Sequence, residues 1–334
     1  MGVYVGDQNK VVWCHESGTY GSGVSTYPAN GSPAFWPGMV MSNDLTEDMG
    51  VIDQRYCGTN SRNVGQFIDG VINLDGTLKI IPQSWKLLKF VLGSCVDTSG
   101  TICTHVISEV NSDNVDPFNA SNFTSFQLQD AQQTLVAASG LNMIRSIDGC
   151  EVKTFTLNIT EGEPLNFEIG YVAHQAIFSS GATWPVTAST SIPYLWQECT
   201  FDLPSGTSLS KVKNMTVTVD NTPESTHYVG TGRQIGEPIP TNRNYEISAT
   251  FHGNSTWGNT LYQNYLLGGS TFNTQLRVIK TASSNQMIWT FSGCKLTDMS
   301  MPTESEGVNE WALTIKPQTS SITVNDTTLL YNPW

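Results

Sequence analysis

The feature that most constrains the fold of this chain is an internal repeat. The segment MIRSIDGC at residues 143–150 recurs as MIWTFSGC at residues 287–294, at a spacing of 144 positions and with four identities. Each copy continues into a run of alternating polar and apolar residues, then a turn with Glu-Gly, then a second alternating run. Repetition at a fixed spacing is typical of a chain built from copies of one structural unit.

Two further blocks recur in the same order along the chain. WKLLKFVLGS at residues 85–94 corresponds to LYQNYLLGGS at residues 261–270, and YCGTNSR at residues 56–62 corresponds to YVGTGR at residues 228–233. The spacing falls from 176 to 144 between the blocks, because the first copy holds about 32 additional residues. The alternative interpretation is that two unrelated β regions share the same turn chemistry.

The repeat predicts two modules of ordinary domain size, residues 1–178 and residues 179–334, with an insertion in the first around residues 95–142. Only 13% of the residues are charged, and the many Thr, Ser, Asn and Gly residues indicate strands and turns rather than long helices. We therefore predict a mainly β protein whose two tandem modules each contain several strands and one short helix. Aromatic residues are numerous enough to supply the cores.

Local patterns predict individual elements. Residues 211–224 indicate a strand with Met215, Val217 and Val219 on one side, and residues 39–45 indicate its counterpart. Asp75-Gly76, between apolar alternating arms, is typical of a hairpin turn. The short helix follows Ser84, which would cap it, and ends at Gly93.

The charge and the motifs exclude several classes of function. A net charge of −13 disfavours specific nucleic-acid binding. We expect no signal peptide and no membrane span, because no basic segment precedes an apolar run and no run approaches about 20 apolar residues. The five histidines are scattered, and the acidic segment at residues 111–116 departs from a calcium loop. We therefore expect no enzyme activity, no cofactor and no metal site.

The seven cysteines are an odd number, so at least one is unpaired. We interpret Cys95 and Cys103 as a reduced pair and Cys150 and Cys294 as buried thiols.

Two polar stretches, residues 47–65 and 221–244, are longer than a compact β fold needs, and long loops often make contacts. Acidic clusters such as the one at residues 44–53 are more often solvated surface than paired catalytic carboxylates. The candidate interface residues are Glu47, Asp48, Asp53, Arg55, Arg62, Asn221, Glu224, Arg233, Glu237 and Arg243.

Four features of the sequence together resemble tail tube proteins of tailed viruses. They are ESGTYGSG at residues 16–23, YCGTNSR at residues 56–62, the VLGS after the helix, and the strand pair that begins with Gly-Cys. The resemblance covers nearly the whole chain. It implies a β-sandwich or partly open barrel flanked by a helix, in subunits that form rings and stack into the tube that carries the genome. Some such proteins carry a tandem duplication and form trimeric rings with pseudo-sixfold symmetry; a plain hexamer is the rival arrangement.

The resemblance also implies the partners and the location. The chain would pair with itself, and would contact the tape measure protein, tail terminator and tail tip proteins, and viral DNA in transit without binding it specifically. A sheath is a further candidate contact for the insertion, and an acidic lumen would let DNA slide. The protein would be assembled in the host cytoplasm and reside in the virion tail.

Three alternatives stay open. One is a tail hub or distal tail protein of the same fold. Another is an exported glycan-binding or surface β-sandwich protein, which the seven N-x-Ser/Thr sequons would fit. The third is a glycosidase on a β scaffold, which would need a pocket of carboxylates and aromatic side chains.

Overall fold

The structure is a computed structural model that describes residues 10–16, 20–21, 35–55, 64, 66–110, 125–132, 143–180, 191–209, 211–229, 232–253, 258–281, 284–303 and 308–327. This part of the chain is mainly β-sheet with few helical turns, which confirms the prediction of a mainly β protein. Among these residues, no helix has the length and apolar character that crossing a membrane requires.

The elements fall into two runs along the chain. The first run is β1 (Lys10–His15), β2 (Gly38–Asp48), β3 (Ile52–Gln54), β4 (Gln66–Ile68), β5 (Asn73–Pro82), α1 (Leu88–Leu92), β6 (Gly93–Thr98), β7 (Cys103–Glu109), β8 (Phe126–Gln132), β9 (Met143–Thr160), β10 (Asn166–Ala173) and β11 (Gln175–Ser180). The second run is a 3-10 turn (Trp196–Glu198), β12 (Cys199–Asp202), β13 (Val212–Asp220), β14 (Pro223–Glu224), β15 (Ile239–Pro240), β16 (Asn244–His252), a π-helix (Thr260–Leu267), β17 (Phe272–Thr281), β18 (Asn285–Ser300), β19 (Glu310–Lys316) and β20 (Thr319–Asp326).

Eight antiparallel strands form the main sheet, in the order β2-β5-β10-β9-β13-β16-β19-β18. Side chains along each strand alternate between a buried apolar face and a polar face, because successive residues of an extended chain point to opposite sides. Met215, Val217 and Val219 of β13 are all buried, as the sequence predicted. The main sheet therefore has one face in the core and one Thr-, Ser- and Asn-rich face outside it.

Two further sheets form a second layer, and one hydrophobic core contains residues of both layers. Their strand orders are β1-β8-β9-β11 and β12-β17-β18-β20-β7-β6. The long strands β9 and β18 belong to both layers and bend at Gly149 and Gly293, whose φ angles are 66° and 62°. A glycine is needed at the first bend, since a Cβ on Gly149 would lie 2.6 Å from a side-chain atom of His174.

The irregularities of the ladders recur at the spacings found in the sequence. The pairing of β9 with β10 skips Lys153, and the pairing of β18 with β19 skips Thr297, which is 144 positions later. The pairing of β2 with β5 skips Met41, and the pairing of β13 with β16 skips Lys213, which is 172 positions later. An extra residue in one strand is a specific local feature of a ladder, so the two runs share these two irregularities.

The predicted helices are present but differ at their starts. The first begins at Leu88 rather than directly after Ser84, and its N-cap residue Leu87 makes no side-chain capping bond. Gly93 ends it in the left-handed conformation, with φ 105°, as predicted. The expected helical segment of the second copy forms a π-helix with Leu261 buried.

The predicted hairpin turn at Asp75-Gly76 is wrong. Both residues lie inside the continuous strand β5, where Gly76 is directly opposite Tyr171 of β10. A Cβ on Gly76 would come within 2.1 Å of the Tyr171 ring. Glycine is needed at this position because the Tyr171 ring occupies the space that a Cβ would fill, and not because the chain turns.

The predicted insertion, residues 95–142, contributes strands to both sheets of the second layer where it is described. The β6–β7 hairpin adds to β20, and β8 pairs with β9. Cys95 and Cys103 are both free thiols, which confirms the reduced pair, and the register places Cys95 opposite Ile107, four residues along β7 from Cys103. Cys150 and Cys294 are buried free thiols, as predicted.

Candidate assembly surfaces

The main sheet ends in two edges that have no partner strand among the described residues. At one end, β2 pairs only with β5. At the other, residues 295–300 of β18 pair only with β19. Unpaired edges of this length invite pairing with another chain. Between them, β13 pairs with β9 over seven residues and joins the two runs of strands into one sheet.

The polar face of the main sheet carries more acidic than basic side chains. Its described carboxylates are Asp44, Asp48, Asp75, Glu168, Asp220, Glu246, Asp298 and Glu310, and its described lysines are Lys79, Lys153, Lys213, Lys295 and Lys316. Three ion pairs, Lys79–Glu168, Lys153–Asp75 and Lys213–Glu310, neutralise part of this charge. The remainder is negative, so this face would repel a polyanion.

A second exposed surface is the arm, which we define as residues 49–55 and 66–72 and which contains the paired strands β3 and β4. Its exposed large apolar side chains are Met49, Val51, Ile52, Phe67, Ile68 and Val71. Phe67 alone is 67% exposed. Several large apolar side chains exposed on two paired strands indicate an interaction surface.

Arg233 of the second polar stretch fixes the base of the arm. Its guanidinium donates to the backbone oxygens of Gly70 at 2.7 Å and Met49 at 3.3 Å and pairs with Asp69 at 3.1 Å. The backbone N–H of Ile72 donates to the Arg233 carbonyl oxygen at 2.7 Å. Arg233 therefore forms an ion pair, whereas Arg62, which holds the corresponding place in the first copy of the repeat, lies outside the described residues.

The other predicted interface residues occupy different environments. Glu47 and Asp48 are exposed at the end of β2, Asp53 and Arg55 are exposed on the arm, and Glu224 is exposed on β14. Burial raises the pKa of the half-buried Glu237 to about 7.

Asn221 holds elements of the chain together. Its amide nitrogen donates to the carbonyl oxygens of Val91 and Val152, both at 3.1 Å, and its amide oxygen accepts from Arg243 at 2.7 Å. Asn221 is buried. The structure therefore places Asn221 and Arg243 where they link α1, β9 and the second polar stretch.

Sequence reasoning missed a buried carboxylate that secures the strand β1. Glu16 accepts hydrogen bonds from the backbone N–H groups of Gly21 and Gly149 and from the hydroxyl of Ser125. Burial raises the pKa of Glu16 to about 7, although these hydrogen bonds oppose the shift. No local pattern could have indicated this role, because Ser125 and Gly149 are more than 100 residues away in sequence.

Glu16→Gln is expected to remove a loss of stability that the wild type undergoes between pH 5 and pH 8. The pKa of Glu16 is raised from 4.5 to about 7 on folding, so the stability that its protonated form contributes is fully present below pH 4.5 and is lost as pH rises through 7. Glutamine does not ionise, so the free energy of unfolding of the variant, relative to the wild type, should rise by up to about 3 kcal/mol from pH 5 to pH 8. The amide nitrogen cannot accept the backbone N–H that one carboxylate oxygen accepts, and this cost is the same at both pH values. Urea unfolding at both pH values measures the difference. The exposed Glu163→Gln is the control, and a difference between Glu16→Gln and the wild type that stays the same at pH 5 and pH 8 contradicts the prediction.

One comparison with known proteins gave a match. A family model described as phage tail tube protein matches residues 6–284. No curated protein matches the chain. The matched range includes β1, the arm, the second polar stretch and the junction between β9 and β13.

Proposed function

The chain belongs to the phage tail tube protein family, and we propose that three copies close into a ring and that these rings stack into the tube of the virion tail. The observation that carries this proposal is the edge at each end of the main sheet, β2 and residues 295–300 of β18, for which the described part of the chain supplies no second partner strand. Pairing these edges between neighbours would continue the ladder around a closed barrel, which removes both edges from solvent.

The trimer follows from a tandem duplication, with modules at residues 1–178 and 179–334. The support is the recurrence of skipped residues at the spacings 144 and 172, together with the bends at Gly149 and Gly293. Under this duplication, β13 corresponds to β2 and β9 corresponds to β18. The β9–β13 junction inside one chain is then the template for the contact between chains, and three chains give six similar modules around the axis.

The polar face of the main sheet would line the lumen. The second layer packs on the opposite face, so closing the sheet through its edges leaves the uncovered polar face free to point toward the axis. Its excess of carboxylates would keep DNA from adhering during passage. This assignment agrees with a tube that carries a genome without binding it specifically.

Reversing charge on this face is expected to make assembled tubes retain DNA. The double variant Asp44→Lys and Glu246→Lys changes the charge by four units per subunit, and repeated rows of lysines would bind phosphates. A gel-shift assay with duplex DNA at low salt measures the retention, which should disappear as salt is raised. The neutral pair Asp44→Asn and Glu246→Gln is the control. Reversed tubes that still release DNA at low salt would contradict the assignment of this face to the lumen.

The arm is proposed to contact the next ring in the stack. Its apolar side chains are exposed to water in the isolated subunit, and burying them against a neighbouring ring would be favourable. Arg233 holds the base of the arm in place. The polar stretch that carries Arg233 would lie at the same contact. The tape measure protein, the terminator and tip proteins, and any sheath are the further partners of such a tube, assembled in the host cytoplasm.

Negative-stain electron microscopy of the purified chain at high concentration tests the proposal. Stacked rings or hollow tubes with threefold, pseudo-sixfold top views are expected. Isolated rings that never elongate would instead favour the hub or distal tail protein of the same fold. A chain that stays monomeric, even when seeded with a tail tip complex, would contradict the assembly.

A further inference from the structure

A compact set of metal-ligating groups lies on the β6–β7 hairpin of the second layer. Cys95 and Asp97 are two residues apart on β6, so their side chains point to the same side of the hairpin. His105 of β7 is directly opposite Asp97 in the ladder. The antiparallel pairing therefore brings a thiol, a carboxylate and an imidazole together on one side of the hairpin.

The distances between these groups are short. The His105 Nδ1 atom lies 2.7 Å from Asp97 Oδ1, and Cys95 Sγ lies 3.2 Å from the same oxygen. One ligand atom from each of the three residues falls within 4.8 Å of the others. On its other side, His105 Nε2 lies 3.2 Å from Asp326 Oδ1 of β20. The imidazole is fully buried, so its orientation is fixed by these neighbours.

We propose that Cys95, Asp97 and His105 bind one zinc ion, with Asp326 accepting the Nε2–H of the histidine ligand. Zinc in proteins is held by thiolate, imidazole and carboxylate groups at about 2.0–2.3 Å, so its tetrahedral ligands lie about 3–4 Å from one another. The three groups need only small shifts to reach that spacing. A carboxylate on the second nitrogen of a metal-bound histidine is a common supporting contact, because it fixes the ring and its tautomer.

The chemistry of the groups selects zinc over the hard cations. Calcium and magnesium prefer oxygen ligands, whereas a thiolate with an imidazole suits zinc. Asp97 and Asp326 retain partial exposure, 9% and 14% of their side chains. A water molecule could therefore complete the fourth position.

The surrounding charges can accommodate the ion. Lys86 interacts electrostatically with Asp326 and Asp97, and Lys89 with Cys95 and Asp97. Zinc adds two positive charges, and its binding converts the Cys95 thiol to a thiolate and requires a neutral His105 ligand nitrogen. When Cys95 and His105 each carry a proton before binding, both protons are released as the ion binds. The two charges that leave equal the two that the ion brings, so the net charge of the cluster does not change.

The site would fasten a hairpin of the predicted insertion to the last described strand. Among the residues that the structure describes, β6 and β7 join the sheet through the pairing of β7 with β20, and the contact of His105 with Asp326 crosses that pairing. A bound ion would therefore stabilise the packing of β20. This role does not depend on ring formation and can be tested on the unassembled chain.

The competing arrangement is a cluster that holds a proton instead of a metal. Burial lowers the pKa of His105, but hydrogen bonds to Asp326 and Asp97 outweigh it and raise the pKa to about 9. An imidazolium between two carboxylates would satisfy the same contacts without an ion. The experiment must therefore detect the metal–thiolate bond directly.

Cobalt substitution of the full chain provides that measurement. After removal of metal with a chelator, Co²⁺ is added to the wild type, and the expected result is one equivalent bound with a near-ultraviolet thiolate-to-cobalt absorption band. Zinc should displace the cobalt and raise the unfolding temperature of the wild type. Cys95→Ser is expected to lose the absorption band, and Asp326→Asn to weaken zinc binding about 10-fold or more.

Cys103→Ser is the matched control, because Cys103 is a buried thiol of the same hairpin whose Sγ contacts the Gly100 carbonyl oxygen instead. It should retain the absorption band and the response to zinc. A wild-type chain that is folded but shows no thiolate band would overturn the proposal in favour of the proton, without reference to any variant. Loss of the band in Cys103→Ser while Cys95→Ser keeps it would also overturn the assigned ligands.

Discussion

Mild oxidation of tubes that carry both Thr46→Cys and Ser300→Cys is expected to produce a covalent trimer as the largest species on a denaturing gel. Within one chain, Thr218 of β13 lies directly opposite Thr156 of β9. Thr46 and Ser300 occupy the corresponding places at the spacings 172 and 144. Residues directly opposite in an antiparallel ladder have Cα atoms about 4.5–5.5 Å apart, which a disulfide can bridge.

The controls test whether the disulfide depends on the strand register of β2 against β18 or only on the two strands being near each other. Neither single variant should give more than background crosslinking, and Thr46→Cys combined with Asp298→Cys, two residues out of register, should react far less. A ladder of bands that continues to six subunits would support a hexameric ring instead. Tubes that show no disulfide in the matched pair would refute the pairing of β2 with β18.

Phe67→Glu on the arm is expected to prevent tube growth without unfolding the chain. Phe67 is 67% exposed in the subunit, so a charge there costs little in the monomer. At a ring-to-ring contact the change would remove about 1.5–3 kcal/mol of apolar burial at each site and would add a charge that must be desolvated. The concentration needed for elongation should therefore rise more than about 10-fold. Sedimentation of tubes against subunit concentration measures it.

Ile192→Glu is the matched control for this variant, because Ile192 is also 67% exposed but lies outside the arm. It should assemble like the wild type, and both variants should unfold at the wild-type denaturant concentration. Normal elongation by Phe67→Glu would remove the arm from the ring-to-ring contact. Rings that still form in this variant would show that the edge contact and the stacking contact are separate.

Local alternation and spacing determined the parts of the fold that depend on near neighbours. The buried side of β13 follows directly from Met215, Val217 and Val219, because a strand has a period of two. The free thiols Cys95 and Cys103 likewise agree with expectation. Helix starts were less reliable, since α1 begins at Leu88 without a capping side chain, and packing rather than a cap positions it.

The sequence could not reveal contacts whose partners are distant along the chain. The pattern at Asp75-Gly76 is typical of a turn, and only the structure shows that Tyr171 occupies the space beside Gly76. The sequence around Asn221 is typical of a polar surface loop, and only the structure shows its hydrogen bonds to Val91 and Val152. In each case the local residues fit two structures equally well, and the choice depends on which strand lies alongside.

By itself, the sequence determined that the chain is rich in strands, that its segments recur at spacings of 144 and 172, and that a strong negative charge opposes nucleic-acid binding. Only the tertiary structure decided the strand order, the two free edges, and the meeting of His105 with Asp326, 221 positions away. The physical reason is that alternation specifies which face of a strand is buried but not which strand lies beside it. That choice is made by the packing of the whole core.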